Sequence, residues 1–328
     1  MSRSVSRVTT AGRGADLVVV SITAAAGRDP APSGPVVVVT ANVHGDECTG
    51  TGVALRLLPL LEAQLRRGTV HVYPSLNPDG LERRARRVPE DDQDLNRLFP
   101  GDPAGSPAER LAHAAWTDLV TRRPDVVVDL HADAPGAIPY ALLDRAVSLR
   151  GRVRARAEEE SARLAAATGL TVVHEYPEAR YQRFRLDRSL TGAALNRLEV
   201  PTVTIEAGPR LVLDAAAVED TTRACMALLA SLSMVDAPPS APARAGPQGG
   251  PWRRDAGPRV ATSGVLIPRV AAGVLLARGA VVAEVRSLAG VLLEEVVAES
   301  AGFVLAPVER THVVPGVPVC TWAMAEGT

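Results

Sequence analysis

Hydrophobic residues recur along this chain with two different rhythms. Short β-branched runs, bounded by turn residues, mark buried strands at residues 16–23, Pro35 to Ala41, Thr69 to Ser75, Asp125 to Leu130, Thr171 to His174 and Pro201 to Ile205. Between them the spacing becomes helical. Val53, Leu57, Leu58, Leu61 and Leu65 fall on one helix face that extends to about Arg67, and Pro59 inside it predicts a kink or a split. Ser106-Pro107-Ala108-Glu109 reads as a capping box with proline at the first helical position, opening a helix to about Arg122. Residues 150–168 predict an Arg/Glu/Ala-rich surface helix. A short helix follows Ser189-Leu190-Thr191-Gly192, and another covers Asp214 to Leu232. Gly27 to Gly34 and Leu76-Asn77-Pro78-Asp79-Gly80 are turn-rich. Residues 81–105 and 175–188 read as long loops, which in a compact domain usually carry function. Strands alternating with helices predict an α/β layer fold with a parallel or mixed sheet.

The rhythm changes after residue 234. Six prolines, Pro238, Pro239, Pro242, Pro247, Pro251 and Pro258, mark residues 235–258 as a linker or extended crossover. Beyond it come short β-runs punctuated by Gly and Pro: Gly264 to Pro268, Gly273 to Leu276, Val281 to Val285, Gly290 to Val297, Gly302 to Leu305 and Val317 to Trp322. The expected organisation is a catalytic-type α/β domain over 1–234, the linker, and a small all-β domain over 259–328.

Composition narrows the function. The 36 basic residues, all arginine, nearly balance 37 acidic ones, and the net charge of −1 favours neither nucleic acid nor an anionic membrane. Cys48, Cys225 and Cys320 are odd in number and form no Cys-x-x-Cys pair, which argues for a reducing compartment and against a thiolate metal site. No signal-peptide core precedes the first strand, and no apolar run approaches ~20 residues. A cytoplasmic enzyme is expected.

Candidate chemistry collects at the predicted strand ends. Asn42-Val43-His44-Gly45-Asp46-Glu47 follows the second strand, placing an imidazole and a carboxylate where open α/β sheets bind ligands. Such a pair suits a divalent metal, zinc above all. His131 closes the strand Val126 to Leu130, and a histidine there can equally be a satisfied structural residue. Glu206 follows the apolar run Val203-Thr204-Ile205. An unpaired carboxylate at that position costs several kcal/mol in the low-dielectric limit, so it needs a metal, a basic partner or a proton-transfer role. Asp94-Leu95-Asn96-Arg97-Leu98-Phe99-Pro100-Gly101 offers an Asn-Arg fork suited to a carboxylate. Arg83-Arg84-Ala85-Arg86-Arg87 could send one arginine toward an oxyanion.

Taken in order, His44-Gly45-Asp46-Glu47, Asp94-Leu95-Asn96-Arg97-Leu98-Phe99-Pro100-Gly101, Asp129-Leu130-His131 and Glu206 resemble the succinylglutamate desuccinylase/aspartoacylase family, the deacylase branch of the zinc carboxypeptidase (M14-type) superfamily. The resemblance spans about residues 15–232, and the final β-domain looks like that family's barrel-sandwich-like extension. It implies one Zn²⁺ per chain held by His44, Glu47 and His131, with Glu206 as general base and Asp94 orienting His44. It implies Asn96 and Arg97 gripping a substrate carboxylate. Arg87, with Arg86 close behind, would face the oxyanion, although the spacing is short. Asp46 is left with a helix-capping role. The family's tyrosine near the substrate has no counterpart after Tyr181, so Tyr176 or Tyr181 would have to serve. The implied substrate is a small carboxylate-bearing amide, with homo-oligomerisation left open. A carboxypeptidase is the alternative, supported by Asn77-Pro78-Asp79-Gly80. A non-catalytic binding module is the third reading, but a lipoyl- or biotinyl-type carrier needs a lysine, and this chain has none.

Overall fold

The structure is a computed structural model that describes residues 1–9, 15–25, 34–236 and 246–326. Its first part runs β1 (Ser2–Val8), β2 (Leu17–Thr23), β3 (Val36–Ala41), α1 (Cys48–Gln64), β4 (Thr69–Tyr73), α2 (Pro78–Arg83), α3 (Pro107–Thr121) and β5 (Val126–Asp133). It continues through β6 (Tyr140–Leu143), α4 (Gly151–Ala167), β7 (Thr171–His174), α5 (Glu178–Arg183), α6 (Leu190–Leu198), β8 (Thr202–Pro209) and α7 (Ala215–Ser231). The second part holds β9 (Trp252–Ala256), β10 (Gly264–Pro268), β11 (Leu275–Leu276), β12 (Val281–Arg286), β13 (Leu292–Val297), β14 (Gly302–Pro307), β15 (His312–Val313) and β16 (Cys320–Ala325).

A mixed sheet organises the molecule, in the order β1-β2-β4-β3-β5-β8-β6-β7-β9-β16-β14-β11. Its centre is parallel: β3 pairs with β4 and β5, and β5 pairs with β8. That registration brings the carboxyl ends of β3, β5 and β8 side by side, where an open α/β sheet offers its crevice. Val37, Val39, Val128 and Val203 pack with Val53, Leu57 and Leu61 of α1 in the largest core cluster. A Leu→Ala change at Leu57 or Leu61, neither of which is exposed, would cost about 2–5 kcal/mol.

The structure refines several expectations. Helix α1 passes unbroken through Pro59. The Asn77-Pro78-Asp79-Gly80 segment opens α2, and the Asn77 side chain accepts from the Gly80 amide at 3.0 Å. Both long loops contain local structure: a 3-10 turn at Leu95–Arg97 in the first, and α5 with a 3-10 turn at Leu186–Arg188 in the second. The Ser106 capping box is present. Helix α4 is amphipathic and buries Ala157, Ser161, Leu164 and Ala165. Strands β5 and β8 run past His131 and Glu206, so both side chains project from within strands. Most of the turn expected at Gly27 to Gly34, and Pro238, Pro239 and Pro242, lie outside the described residues.

The all-β segment joins the main sheet. Trp252–Ala256, inside the expected linker, forms β9, which pairs with β7 in parallel and with β16 in antiparallel fashion. A second sheet, β13-β12-β10-β15, faces β14 and β16. Leu266, Val282, Val285 and Val296 from one sheet and Val304, Trp322 and Met324 from the other form one core.

Candidate active site

Three elements bring the strand-end residues together. Between β3 and α1 the chain turns sharply at Asn42, whose φ is 56°. The Asn42 amide donates to the carbonyls of His44 (2.9 Å) and Gly45 (3.1 Å) and accepts from Ser75 Oγ (2.6 Å). Gly45 is required here because a Cβ would lie 2.4 Å from Gly80 Cα. The turn therefore holds His44 and Glu47 rigidly at the mouth of the sheet. The adjoining strands supply His131 from β5 and, directly opposite it in the ladder, Glu206 from β8.

His44, Glu47 and His131 are all buried, and their ligand atoms lie within 4.8 Å of one another. Glu47 Oε1 is 2.8 Å from His44 Nδ1, and Glu47 Oε2 is 2.8 Å from His131 Nδ1. The opposite ring nitrogens are tied to carboxylates: His44 Nε2 to Asp94 (3.1 Å) and His131 Nε2 to Asp129 (2.9 Å). Each carboxylate fixes the tautomer and leaves Nδ1 of its ring free to ligate, which is how metal-ligating histidines are held. Two imidazoles and a carboxylate converging in this way fit a divalent cation, and the ligand set matches that of catalytic zinc.

Electrostatics follow from burial and neighbours. Burial disfavours the charge on Glu47, but the imidazoles of His44 and His131 outweigh it and hold the carboxyl well below its ordinary value. For Asp94, too, burial is overcome, chiefly by the bond to His44, and its pKa falls. Glu206 behaves in the opposite way. Burial dominates, Asp133 and Glu47 add to it, and its pKa rises to about 7 against the opposing pull of His131 and Arg254. No side chain among the described residues hydrogen-bonds the Glu206 carboxylate, which faces the cavity. A carboxylate poised near neutrality and free of partners is suited to moving a proton.

The remaining expected residues divide. Arg86 enters the site and donates to Glu47 Oε1 at 2.6 Å. Arg87, the favoured oxyanion candidate, points away: its side chain is half exposed and it bonds Asp92. The chain bends at both residues, and the bend turns Arg86 toward the cavity and Arg87 toward Asp92. Arg97 lines the cavity and donates to its neighbour's carbonyl at 2.7 Å. Asn96 also lines it, but its amide oxygen accepts from the Leu190 amide at 2.9 Å, which commits half of the expected fork to the scaffold. Neither tyrosine lines the cavity. The Tyr176 ring sits 4.5 Å from the Arg180 guanidinium carbon, and Tyr181, fully buried, donates to Asp144 at 2.7 Å. Asp46 does not cap α1: one of its carboxylate oxygens is buried without a partner, and its carbonyl accepts from the Leu211 amide.

Sequence reasoning missed Asp129, Asp133, Asp144, Glu175, Arg210 and Arg254. Asp129 carried a signal, because it lies two residues before His131 and so on the same strand face. Arg254 carried none. It arrives on β9 from the expected linker and donates to Glu175 at 3.1 Å. All of these except Asp129 line a polar cavity of ≈ 200 Å³ together with His44, Glu47, His131 and Glu206.

The chain is similar to known proteins in sequence and in fold. The profile of the succinylglutamate desuccinylase/aspartoacylase catalytic domain matches residues 33–232. An N-alpha-acetyl-L-2,4-diaminobutyric acid deacetylase of Halomonas elongata is 36% identical over 110 residues, a stretch that spans only about a third of each chain, 33% of this one and 32% of the relative. An aspartoacylase family protein of Mesorhizobium loti superposes with a TM-score of 0.76 at 21% identity, covering 100% of this chain and 95% of the other. A metallo-carboxypeptidase of Burkholderia cenocepacia shares the fold more loosely, with a TM-score of 0.54 at 17% identity over 70% of this chain and 64% of the other. No helix among the described residues is long and apolar enough to cross a membrane.

Proposed function

The chain belongs to the succinylglutamate desuccinylase/aspartoacylase family, and from that premise we propose that it is a zinc-dependent hydrolase cleaving the amide bond of a small N-acyl amino acid. The observation that carries this reading is the buried His44–Glu47–His131 cluster, braced by Asp94 and Asp129, with the unpartnered Glu206 carboxylate beside it. His44, Glu47 and His131 would hold one Zn²⁺ per chain, which when bound supplies Lewis-acid polarisation of the scissile carbonyl and a nucleophilic water near neutral pH.

The protein's own groups do the rest. Glu206 takes a proton from the attacking water on a carboxylate oxygen and returns it to the departing amine nitrogen. Its raised pKa suits both halves of that task. Arg86, fixed by Glu47, presents positive charge where the carbonyl oxygen becomes negative. Arg97 supplies a guanidinium for the substrate carboxylate. Ala132 donates its amide to Glu47 Oε2 at 3.1 Å, which keeps that carboxylate oriented.

The size of the cavity favours a compact substrate, and the deacetylase activity named for the Halomonas relative supports amide deacylation. Three free cysteines fit the cytoplasmic setting we assign to it. Elemental analysis of the purified protein and steady-state assays with acetyl-, succinyl- and peptidyl-amino acids test the reading together. Zinc near one equivalent and faster turnover of acyl amino acids are expected. Faster turnover of peptides would establish the carboxypeptidase alternative instead.

A further inference from the structure

Helix α5 carries a charge pattern that the proposed reaction does not use. In Glu178-Ala179-Arg180-Tyr181-Gln182-Arg183-Phe184, Arg183 lies three residues and Phe184 four residues after Arg180, so the three share one face. Tyr181 is fully buried and ties the helix down through Asp144 at 2.7 Å, whereas Arg183 and Phe184 are exposed. With Ala179 and with Arg259, which follows β9, these residues line a depression of ≈ 470 Å³. That volume falls in the range of small-molecule sites, ~300–1,000 Å³. Three arginines and a phenylalanine line it, and no acid does. None of its residues lines the active cavity.

The charges around it do not balance. Glu178, the acid of α5, is taken by Arg154 of α4. Arg180 donates to Asp255 at 2.5 Å, and the same carboxylate accepts from Arg253 at 3.0 Å. Arg259 donates to the Gly316 carbonyl, which fixes the guanidinium without neutralising it. Among the described residues no ion pair reaches Arg183 or Arg259. Two uncompensated cations thus line one depression, and an anion between them would relieve their repulsion. A phosphate monoester carries about −1.5 to −2 near neutral pH. It matches two guanidinium groups in charge and in fork geometry, where a carboxylate supplies about half of that charge.

Phe184 gives the depression a flat apolar wall. Its ring is 39% exposed, meets Tyr176 edge to face with centroids 5.4 Å apart, and lies 5.4 Å from the Arg180 guanidinium carbon. These neighbours hold the ring while leaving part of it open to a second ring. Tyr176 also lies 5.5 Å from the guanidinium carbon of Arg254, which lines the active cavity. A ligand here would sit beside the wall of that cavity, outside it.

We propose that this depression is a second ligand site, which binds a phosphorylated small molecule with its phosphate between Arg183 and Arg259 and a flat ring against Phe184. Binding there needs neither metal nor hydrolysis, so the site stands or falls independently of the deacylase reading.

Calorimetric titration of the full chain tests it with adenosine monophosphate, phenyl phosphate and inorganic phosphate, with adenosine as the uncharged control. At least one of the two ring phosphates should bind about fivefold or more tighter than inorganic phosphate, the share expected of ring stacking, and adenosine should give no binding. Arg183→Ala and Arg259→Ala should each weaken that binding about tenfold. Phe184→Ala should bring the ring phosphates level with inorganic phosphate. All three side chains are exposed, so the variants should keep the fold, which circular dichroism checks. Arg97→Ala reports on the active cavity: binding lost in that variant but unchanged in the Arg183 and Arg259 variants would place the anion there and overturn the proposal. No binding of any phosphate by wild type would overturn it too, and so would ring phosphates that bind no tighter than inorganic phosphate.

Discussion

The brace on His131 offers the sharpest quantitative test of the proposed metal site. Asp129 is fully buried; one oxygen meets His131 Nε2 at 2.9 Å and the other accepts from Thr40 Oγ1 at 2.6 Å. In Asp129→Asn the amide oxygen can still accept from Nε2, while the amide nitrogen donates to a Thr40 hydroxyl that has turned round. What is lost is the charge on the acceptor, roughly half the strength of the bond. In Asp129→Ala both Nε2 and Thr40 lose a partner, and the imidazole loses its fixed orientation. Residues in this position typically govern metal affinity by 10- to 100-fold. We therefore expect zinc affinity to fall about tenfold in Asp129→Asn and about 100-fold in Asp129→Ala, equivalent to about 1.4 and about 2.7 kcal/mol. Asp94 makes the matching contact to His44 but has a quarter of its side chain exposed, so water can replace it, and Asp94→Ala should cost less than Asp129→Ala. Competition with a chromophoric chelator at fixed pH measures all three, with circular dichroism confirming the fold. Wild-type zinc affinity in a folded Asp129→Ala protein would refute the reasoning, because His131 would then not be a ligand held by that carboxylate.

Other outcomes follow from the same geometry. Glu206→Gln should retain zinc by elemental analysis and lose about 10²- to 10⁴-fold in kcat, whereas His131→Ala should lose both metal and activity; metal retention by the latter would remove it from the ligand set. Arg86→Ala should lower kcat/KM for acyl amino acids by about 100-fold or more while Arg87→Ala stays near wild type, and the reverse order would restore the assignment that the sequence favoured. Stability should depend on pH through Asp144. A folded-state pKa near 7, above the ordinary 3.8, stabilises the fold fully below pH 4 and loses that contribution as pH rises through 7. Up to roughly 4 kcal/mol is involved, so urea titrations from pH 4 to 8 should show a decline in wild type that flattens in Asp144→Asn. Parallel curves would contradict it.

The sequence by itself determined most of the elements and pointed to the residues of the candidate metal cluster. β-branched runs and helical spacing located the central strands and α1, α3, α4 and α7, because burial on a sheet or one helix face imposes its own period. His44, Glu47 and His131 were legible through the motifs that resemble the family, and Glu206 also because a carboxylate after an apolar strand is costly unless used. Strand β1 was not legible: its alternation, Ser2 to Val8, is largely exposed, and an edge strand buries too little to mark the pattern. Only the tertiary structure decided which arginine enters the site, since Arg86 and Arg87 are chemically identical and differ in which way the backbone turns them. It alone placed Asp144 and Arg254 in the cavity. Asp144 directly follows β6, which the β6–β8 ladder sets beside the strand of Glu206, and Arg254 arrives on β9, 48 residues after Glu206. Contacts between segments so distant in sequence depend on strand order and register, and no local pattern of hydrophobic and polar residues records either.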